Sequence, residues 1–434
     1  MKKIALLLAL SFVLFGYNGE IEPNLDVMPV LEIEVEVEKI EKFEKFEKFE
    51  KIEKNETEPT AESDFDFYAL LDVDDILHDI DFLVQTLEEN FPFMGVVERA
   101  TGVGEPLDRL RDSLIIHAQH GRLYSFQFEN LIRQYFHDIF FSRLAHLDIN
   151  PAYLPSLEDD FLDFFDFNPE ISAQPTIIEE GKIAVIPVNP AFFNGFAAPM
   201  REMQELQRFI AQIQGYEHVI IDLTHIGGGW LHTSVETFIL PNLHENVYIT
   251  EFAFITSGTF PQNTHQERLA MSEFFQLMGG SNFFWGRETV GALVPAAEFA
   301  EQHNLVNMNT GDLENFAYGF VIETLLRSTT SFSRPSFFSR LPLLADNIWF
   351  LISPNNGSAG AIFANMAKEA GFTLVGEQTS HWNSDGRAFF ELPRTGHIIS
   401  MDTFYITDNT GRNIEEFPPE PHYFNRPGMD ALQT

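Results

Sequence analysis

The chain is predicted to be an α/β protein, a core of βαβ units preceded by a small helical region, and three stretches of sequence predict it. Residues 347–377, NIWFLISPNNGSAGAIFANMAKEAGFTLVGE, begin with an uncharged apolar run that ends in Pro354, Asn355, Asn356 and Gly357. A short continuous apolar run closed by turn formers is how a strand buried on both faces reads. Good helix formers follow over 359–370, Gly371 closes them, and a second apolar run covers 372–375;. The second stretch repeats this design, with KIAVIPV at 182–188, an amphipathic helix over 197–214 and a strand over 219–223;. Met200, Met203, Leu206, Ile210 and Ile213 form the inward face of that helix;. The third stretch is 72–90, where acidic residues open a helix whose apolar side is Ile76, Ile80, Leu83 and Leu87;.

Taken from the N-terminus, Lys2 and Lys3 precede an apolar run over 4–15 and then small and polar residues. This pattern is expected of a secretory signal peptide over 1–20, since the run is too short for an ordinary membrane-spanning helix. Leu14-Phe15-Gly16 resembles the start of a lipoprotein box, but Tyr17 stands where the lipid-bearing cysteine would be. Cleavage near 16–20 and retention as an uncleaved anchor both remain open, and so does association with the cell envelope. Residues 21–64 read as a low-complexity charged spacer. Phe43, Phe46, Phe49 and Ile52 recur at every third residue there, a spacing that drifts around a helix and builds no apolar face;. Helical patterns over 102–121 and 125–141 place a helical N-terminal domain at 65–145, and the α/β domain fills 146–434.

Composition narrows the function. The 434 residues are 44% hydrophobic, enough for a full core, and carry a formal net charge of −38;. Such acidity repels phosphate backbones, so nucleic acid is excluded as an expected partner. Cysteine is absent, which removes disulfides, thiolate metal sites and a cysteine nucleophile;. No HExxH, P-loop or GxGxxG pattern occurs, and no metal or organic cofactor is expected;. The phenylalanine excess, 45 against 10 tyrosines, reads as core packing, with 283–285 and 332–338 as candidates for lining an apolar cleft;.

Ser358 sits where the strand at 348–352 gives way to a helix. There the unpaired N–H groups and the positive end of the helix dipole favour an oxyanion, which suits acyl transfer. Serine is equally a preferred N-cap, so local pattern leaves both roles open. Asn356 occupies the first glycine position of a GxSxG elbow, which disfavours an α/β-hydrolase;. After the strand at 219–223, Thr224-His225-Ile226 leads into Gly227-Gly228-Gly229, whose backbone can approach a ligand closely;.

In order and spacing, these pieces resemble the C-terminal processing (tail-specific) serine peptidases, in the wider group of the tricorn core protease and the retinoid-binding repeats of the photoreceptor matrix. The likeness runs from about Asp72 to the C-terminus. It is carried by DDILHDIDFLVQTLEENFPF, AHLDI, IDLTHIGGG, GSAGAIFANMAKEAGFTLVGEQT and, more loosely, DNTGRNIEEFPPEP. The resemblance implies a crotonase/ClpP-like α/β core and hydrolysis of extended or unfolded polypeptide through an acyl-enzyme. It assigns Ser358 as nucleophile, His146 as base, and Glu415 or Glu416 as the acid that orients the imidazole;. The Ala359 N–H, with Gly228 or the neighbouring Gly227, would form the oxyanion hole;.

The chain departs from the family at several points. SHWNSDGR stands where many members have a catalytic lysine, Thr224 and Ile226 replace Arg and Asn, Ala361 replaces a common Glu, and 150–180 is too short for a PDZ domain. These departures leave a second reading, a catalytically inactive peptide- or ligand-binding protein of the same fold.

Overall fold

The computed structural model describes residues 68–120, 123–139, 147–150, 174–188, 200–227, 231, 234–277, 286–328, 342–380 and 386–434. The signal-like segment, the charged spacer, His146, Gly228 and the aromatic stretches at 283–285 and 332–338 lie outside these residues. Phe65–Thr434 forms one compact unit.

Four helices open it: α1 (Val73–Asn90), α2 (Met94–Thr101), α3 (Pro106–His120) and α4 (Ser125–Ile139). Asp72 caps α1 by accepting the Asp74 N–H at 2.8 Å, and Asp74 and Asp75 complement the dipole in the first turn;. The helix stops before Phe91-Pro92 because a residue preceding proline is pushed to extended geometry, which Phe91 adopts;. Ile76, Ile80, Leu83 and Leu87 are fully buried, as their spacing predicts. These helices do not close a core of their own. Their apolar faces merge with Ile149, Phe252, Phe254, Phe390, Met401 and Tyr405 from much later in the chain.

The chain continues through β1 (Leu147–Asn150), β2 (Thr176–Glu179), β3 (Ile183–Pro187), α5 (Met200–Gln212), β4 (His218–Asp222), β5 (Val247–Ile255), α6 (Thr259–Leu277), β6 (Gly286–Val290) and β7 (Val294–Pro295). Then come α7 (Ala296–Gln302), α8 (Thr310–Glu314), β8 (Tyr318–Leu326), β9 (Asn347–Ile352), α9 (Ala359–Glu369), β10 (Thr373–Gly376), β11 (Arg387–Glu391), β12 (Ile398–Asp402), β13 (Tyr405–Thr407) and β14 (Tyr423–Phe424).

The central sheet has the order β14-β10-β9-β4-β3-β2. Neighbours from β3 to β14 are parallel, and β2 adds an antiparallel edge. Both predicted units are present here, β3-α5-β4 and β9-α9-β10. Their apolar residues, among them Ile210, Ile221, Phe350, Phe363 and Leu374, form one core. A second sheet, β13-β5-β8-β6 with β7 paired to β8, is antiparallel. The third, β1-β12-β11, brings the strand that follows the opening helices beside two from near the end of the chain.

The turn between β11 and β12 docks on α1, where the fully buried Asp79 carboxylate accepts the N–H groups of Arg394 and Thr395 at 3.0 and 2.7 Å. His397, also fully buried, lies 3.2 Å from Ser125 Oγ and 2.9 Å from Thr395 Oγ1, with its ring against the edge of Phe128. Burial pushes the imidazole below its ordinary value, only partly offset by the charge of Glu129;. A depressed folded value means that the unfolded chain binds the proton more readily. The stability from a neutral His397 is therefore fully present above about 6.5, the unfolded value, and is lost as pH falls through the folded one. Urea midpoints measured across that range should fall on acidification, and His397→Gln should flatten the slope.

Candidate active site

Ser358 stands immediately before α9 with φ 47° and ψ −127°. Its side chain makes no capping hydrogen bond, so the N-cap role that local sequence allowed is not the one the residue takes. A non-glycine residue at positive φ costs about 1–3 kcal/mol and persists only where its surroundings impose it. These angles resemble the first central position of a type II′ turn, the mirror image of type II. A strand delivers the chain into this turn and a helix leaves it. This is how a serine hydroxyl is held out at the head of a sheet, although the GxSxG pattern is incomplete.

The turn is clamped to the loop after β4. Gly357 N–H donates to Gly227 O at 2.9 Å, while Ser353 Oγ and Asn355 Nδ2 donate to Thr224 O at 2.8 and 3.2 Å. Gly360 passes so close that a Cβ there would come within 2.9 Å of Ile226 O. Thr224 folds back onto Asp222 through its N–H and Oγ1 at 2.9 and 2.6 Å. Ile226 is buried, and Gly227 is exposed. Ala359 is the first residue of α9, so its N–H belongs to the first turn, which has no partner within the helix;.

The two acidic candidates differ sharply. Glu415 is 5% exposed, and its N–H, with that of Glu416, donates to Asn413 Oδ1 at 3.0 Å. The Glu416 carboxylate is held by Arg99 of α2, Nε and one terminal nitrogen each at 2.8 Å. The same guanidinium grips Asp312 of α8, itself 3% exposed and accepting from Tyr405 O–H at 2.8 Å. The hydrogen bonds that Arg99 donates to Glu416 first and Asp312 second raise the pKa of its guanidinium above the ordinary value. Burial first, then the Asp312 charge, raises the Tyr405 phenol. Arg99→Met should destabilise the fold by about 2–3 kcal/mol, less than a fully buried pair because Arg99 keeps 35% exposure;. Adding Asp312→Asn should recover part of the loss in urea midpoint.

The structure brings the segment that follows Ser358 and the segment of Glu415 and Glu416 into one neighbourhood. Ile362, in the first turn of α9, packs on the apolar cluster that contains Ile414. Lys368 Nζ, in the last turn of α9, and Gln378 Nε2, beyond it, donate to the carbonyls of Glu420 and Pro418, each at 3.0 Å. The strand that follows His146 in sequence is placed by Arg133 of α4, which binds Asp148 at 2.7 Å and Ile149 O at 2.6 Å. Arg133 and Arg99 escaped the sequence reading because each acts across elements that no local pattern links.

The model of Peptidase family S41 matches residues 183–423. No curated protein sequence matches the chain significantly. Among solved structures, the chain is similar to mature CPAF complexed with lactacystin, at 12% identity and TM-score 0.48, over 81% of this chain and 94% of that one. It is also similar to a lipoprotein from Streptococcus agalactiae, at 12% identity and TM-score 0.41, over 85% and 96%. The photosystem II D1 C-terminal processing protease aligns at 12% identity and TM-score 0.31, over 57% of this chain and 43% of that one. These likenesses are too distant to bear on chemistry. The family match stands apart from them, because it spans more than half of the sequence and takes in both βαβ units, the turn at Ser358 and the segment of Glu415, and by it the chain belongs to peptidase family S41.

Proposed function

We propose that this peptidase-family chain is an exported serine peptidase that hydrolyses extended or unfolded polypeptide through an acyl-enzyme on Ser358. The single observation that carries the reading is Ser358 itself. In a chain of family S41, a serine is held at positive φ at the head of α9 with its hydroxyl not spent on capping;. In the proposed sequence, Ser358 Oγ passes its proton to His146 and attacks the scissile carbonyl carbon. The oxyanion is met by the Ala359 N–H and by Gly228 or Gly227. Collapse of the tetrahedral species breaks the C–N bond, and the imidazolium returns its proton to the leaving amine. Water, deprotonated by the same imidazole, then releases the acyl group from Ser358.

Of the two acids, Glu415 is the proposed partner of His146. Its burial suits a carboxylate that orients an imidazole, whereas Glu416 is already committed to Arg99;. The crotonase/ClpP-like architecture, with the helical part at 65–145 sharing its core with the α/β part, and export guided by the N-terminal segment belong to the same proposal. Lysines and an apolar run at the start support export, and parallel βαβ units support the architecture.

The test is covalent. A fluorophosphonate probe should modify the protein once per chain, with the adduct mapped by peptide mass analysis to the peptide containing Ser358. An unmodified protein would shift the reading to the inactive binding protein.

A further inference from the structure

We infer that Asn356 is a positioning residue, holding the turn that carries Ser358 against the loop at 223–227. The inference rests on Ser358 as nucleophile and deepens that reading. Asn356 is completely buried and its side chain is fully engaged. Nδ2 donates to Leu223 O at 2.6 Å and to Ile226 O at 2.9 Å, and Oδ1 accepts the Ser353 N–H at 2.7 Å. Its backbone is equally committed. The N–H donates to Ser353 O at 3.0 Å, and the carbonyl accepts Ser380 N–H and Oγ–H at 2.9 and 3.0 Å.

One residue thereby joins the end of β9, the loop after β4 and the chain beyond β10. Only a neutral amide fits these partners, because two carbonyl oxygens require two donors and the Ser353 N–H requires an acceptor. An aspartate would set a carboxylate against two carbonyl oxygens, and a leucine would strip the Ile226 carbonyl and the Ser353 N–H of this partner and leave the Leu223 carbonyl with the Ile226 N–H alone;. A glycine, which the complete GxSxG elbow would place here, offers no side chain at all.

The reach of this staple is what makes it functional. Leu223 and Ile226 bracket the approach to Gly227, and Gly227 O in turn takes the N–H of Gly357, the residue before Ser358. The Ala359 N–H rides on one side of the staple and the glycine loop on the other, so Asn356 sets the spacing between the two proposed halves of the oxyanion hole. Displacement of about 1 Å in such a constellation lowers turnover by about 100-fold.

The experiment compares the full chain with Asn356→Ala and Asn356→Asp by hydrogen exchange and by kinetics on an unfolded protein substrate. Exchange at 223–227 and 353–360 should rise about tenfold or more in Asn356→Ala while β5 and β8 keep their protection. In the same variant kcat should fall about 100-fold with KM little changed. Asn356→Asp should regain rate as pH is lowered, because a protonated carboxyl recovers one donor; a purely structural role would not create that pH profile. If Asn356→Ala does not fold, Asn356→Ser, which keeps one donor, takes its place with the same expectations in smaller measure. Unchanged exchange at 223–227 overturns the inference, as does a kcat within about threefold of the parent. Failure of the parent to react with the fluorophosphonate probe sinks the nucleophile reading instead, and the exchange comparison still decides whether Asn356 joins the two loops.

Discussion

Ser358→Ala and His146→Ala should each lower the cleavage rate of an unfolded protein substrate by about 10⁴-fold or more, with the double variant no worse than either single one. Members of one proton-transfer unit are not additive, since removing either already abolishes the step they share. Glu415→Gln should cost on the order of 10³–10⁴ in kcat, because an amide can favour the wrong imidazole tautomer and cannot stabilise the imidazolium. Glu416→Gln should behave differently. Its carboxylate is bound on both oxygens by Arg99, so its loss should appear mainly as a lower urea midpoint, with kcat reduced about tenfold or less;. Side-by-side kinetics and denaturation of these five variants check the assignment. A large kcat loss in Glu416→Gln with Glu415→Gln near the parent would exchange the two roles.

Gly376→Ala should destabilise the protein by about 4 kcal/mol or more, which would leave little folded material. Gly376 ends β10 at φ 136°, and a Cβ there would overlap the carbonyl oxygen of Ile352 in β9. That oxygen also accepts Glu377 N–H at 3.2 Å, and Gly376 O accepts from Asn425 at 2.9 Å, so neither strand can retreat without losing a hydrogen bond. Gly371→Ala is the control. Gly371 also has positive φ, at 86°, but a Cβ there meets nothing within 4 Å, so only the backbone cost of about 1–2 kcal/mol applies;. Urea unfolding of both variants separates collision from conformational preference.

What the sequence made legible was local. The β9-α9-β10 and β3-α5-β4 units could be read because an uncharged run, a turn cluster and a stretch of helix formers lie consecutively in the chain. The face of α1 was visible for the same reason, as a spacing of three and four. Asn356 was visible only as a missing glycine, because its meaning lies in carbonyls of Leu223 and Ile226 that another strand delivers. The choice between Glu415 and Glu416 was equally closed. It turns on Arg99, 317 positions from Glu416 along the chain, and on which carboxylate that arginine reaches. Neither did any periodicity reveal that the opening helices share a core with β5, β11 and β12. Side chains that satisfy partners across the fold leave no periodic trace, since one buried polar residue looks like any surface one in a string of letters.

The pairing of β1 with β12 has a consequence for the order of events during synthesis. Leu147 finds Met401, and Asn150 finds Ile398, so the strand beside the proposed base is still without its neighbour when most of the polypeptide has left the ribosome. At ~5–20 residues per second, the intervening chain takes tens of seconds to emerge. A nascent peptidase is surrounded by unfolded polypeptide, its own included, and during that interval its proposed base and acid belong to separate, unjoined stretches. A delay of this kind follows from putting strands that lie far apart along the chain into the same small sheet.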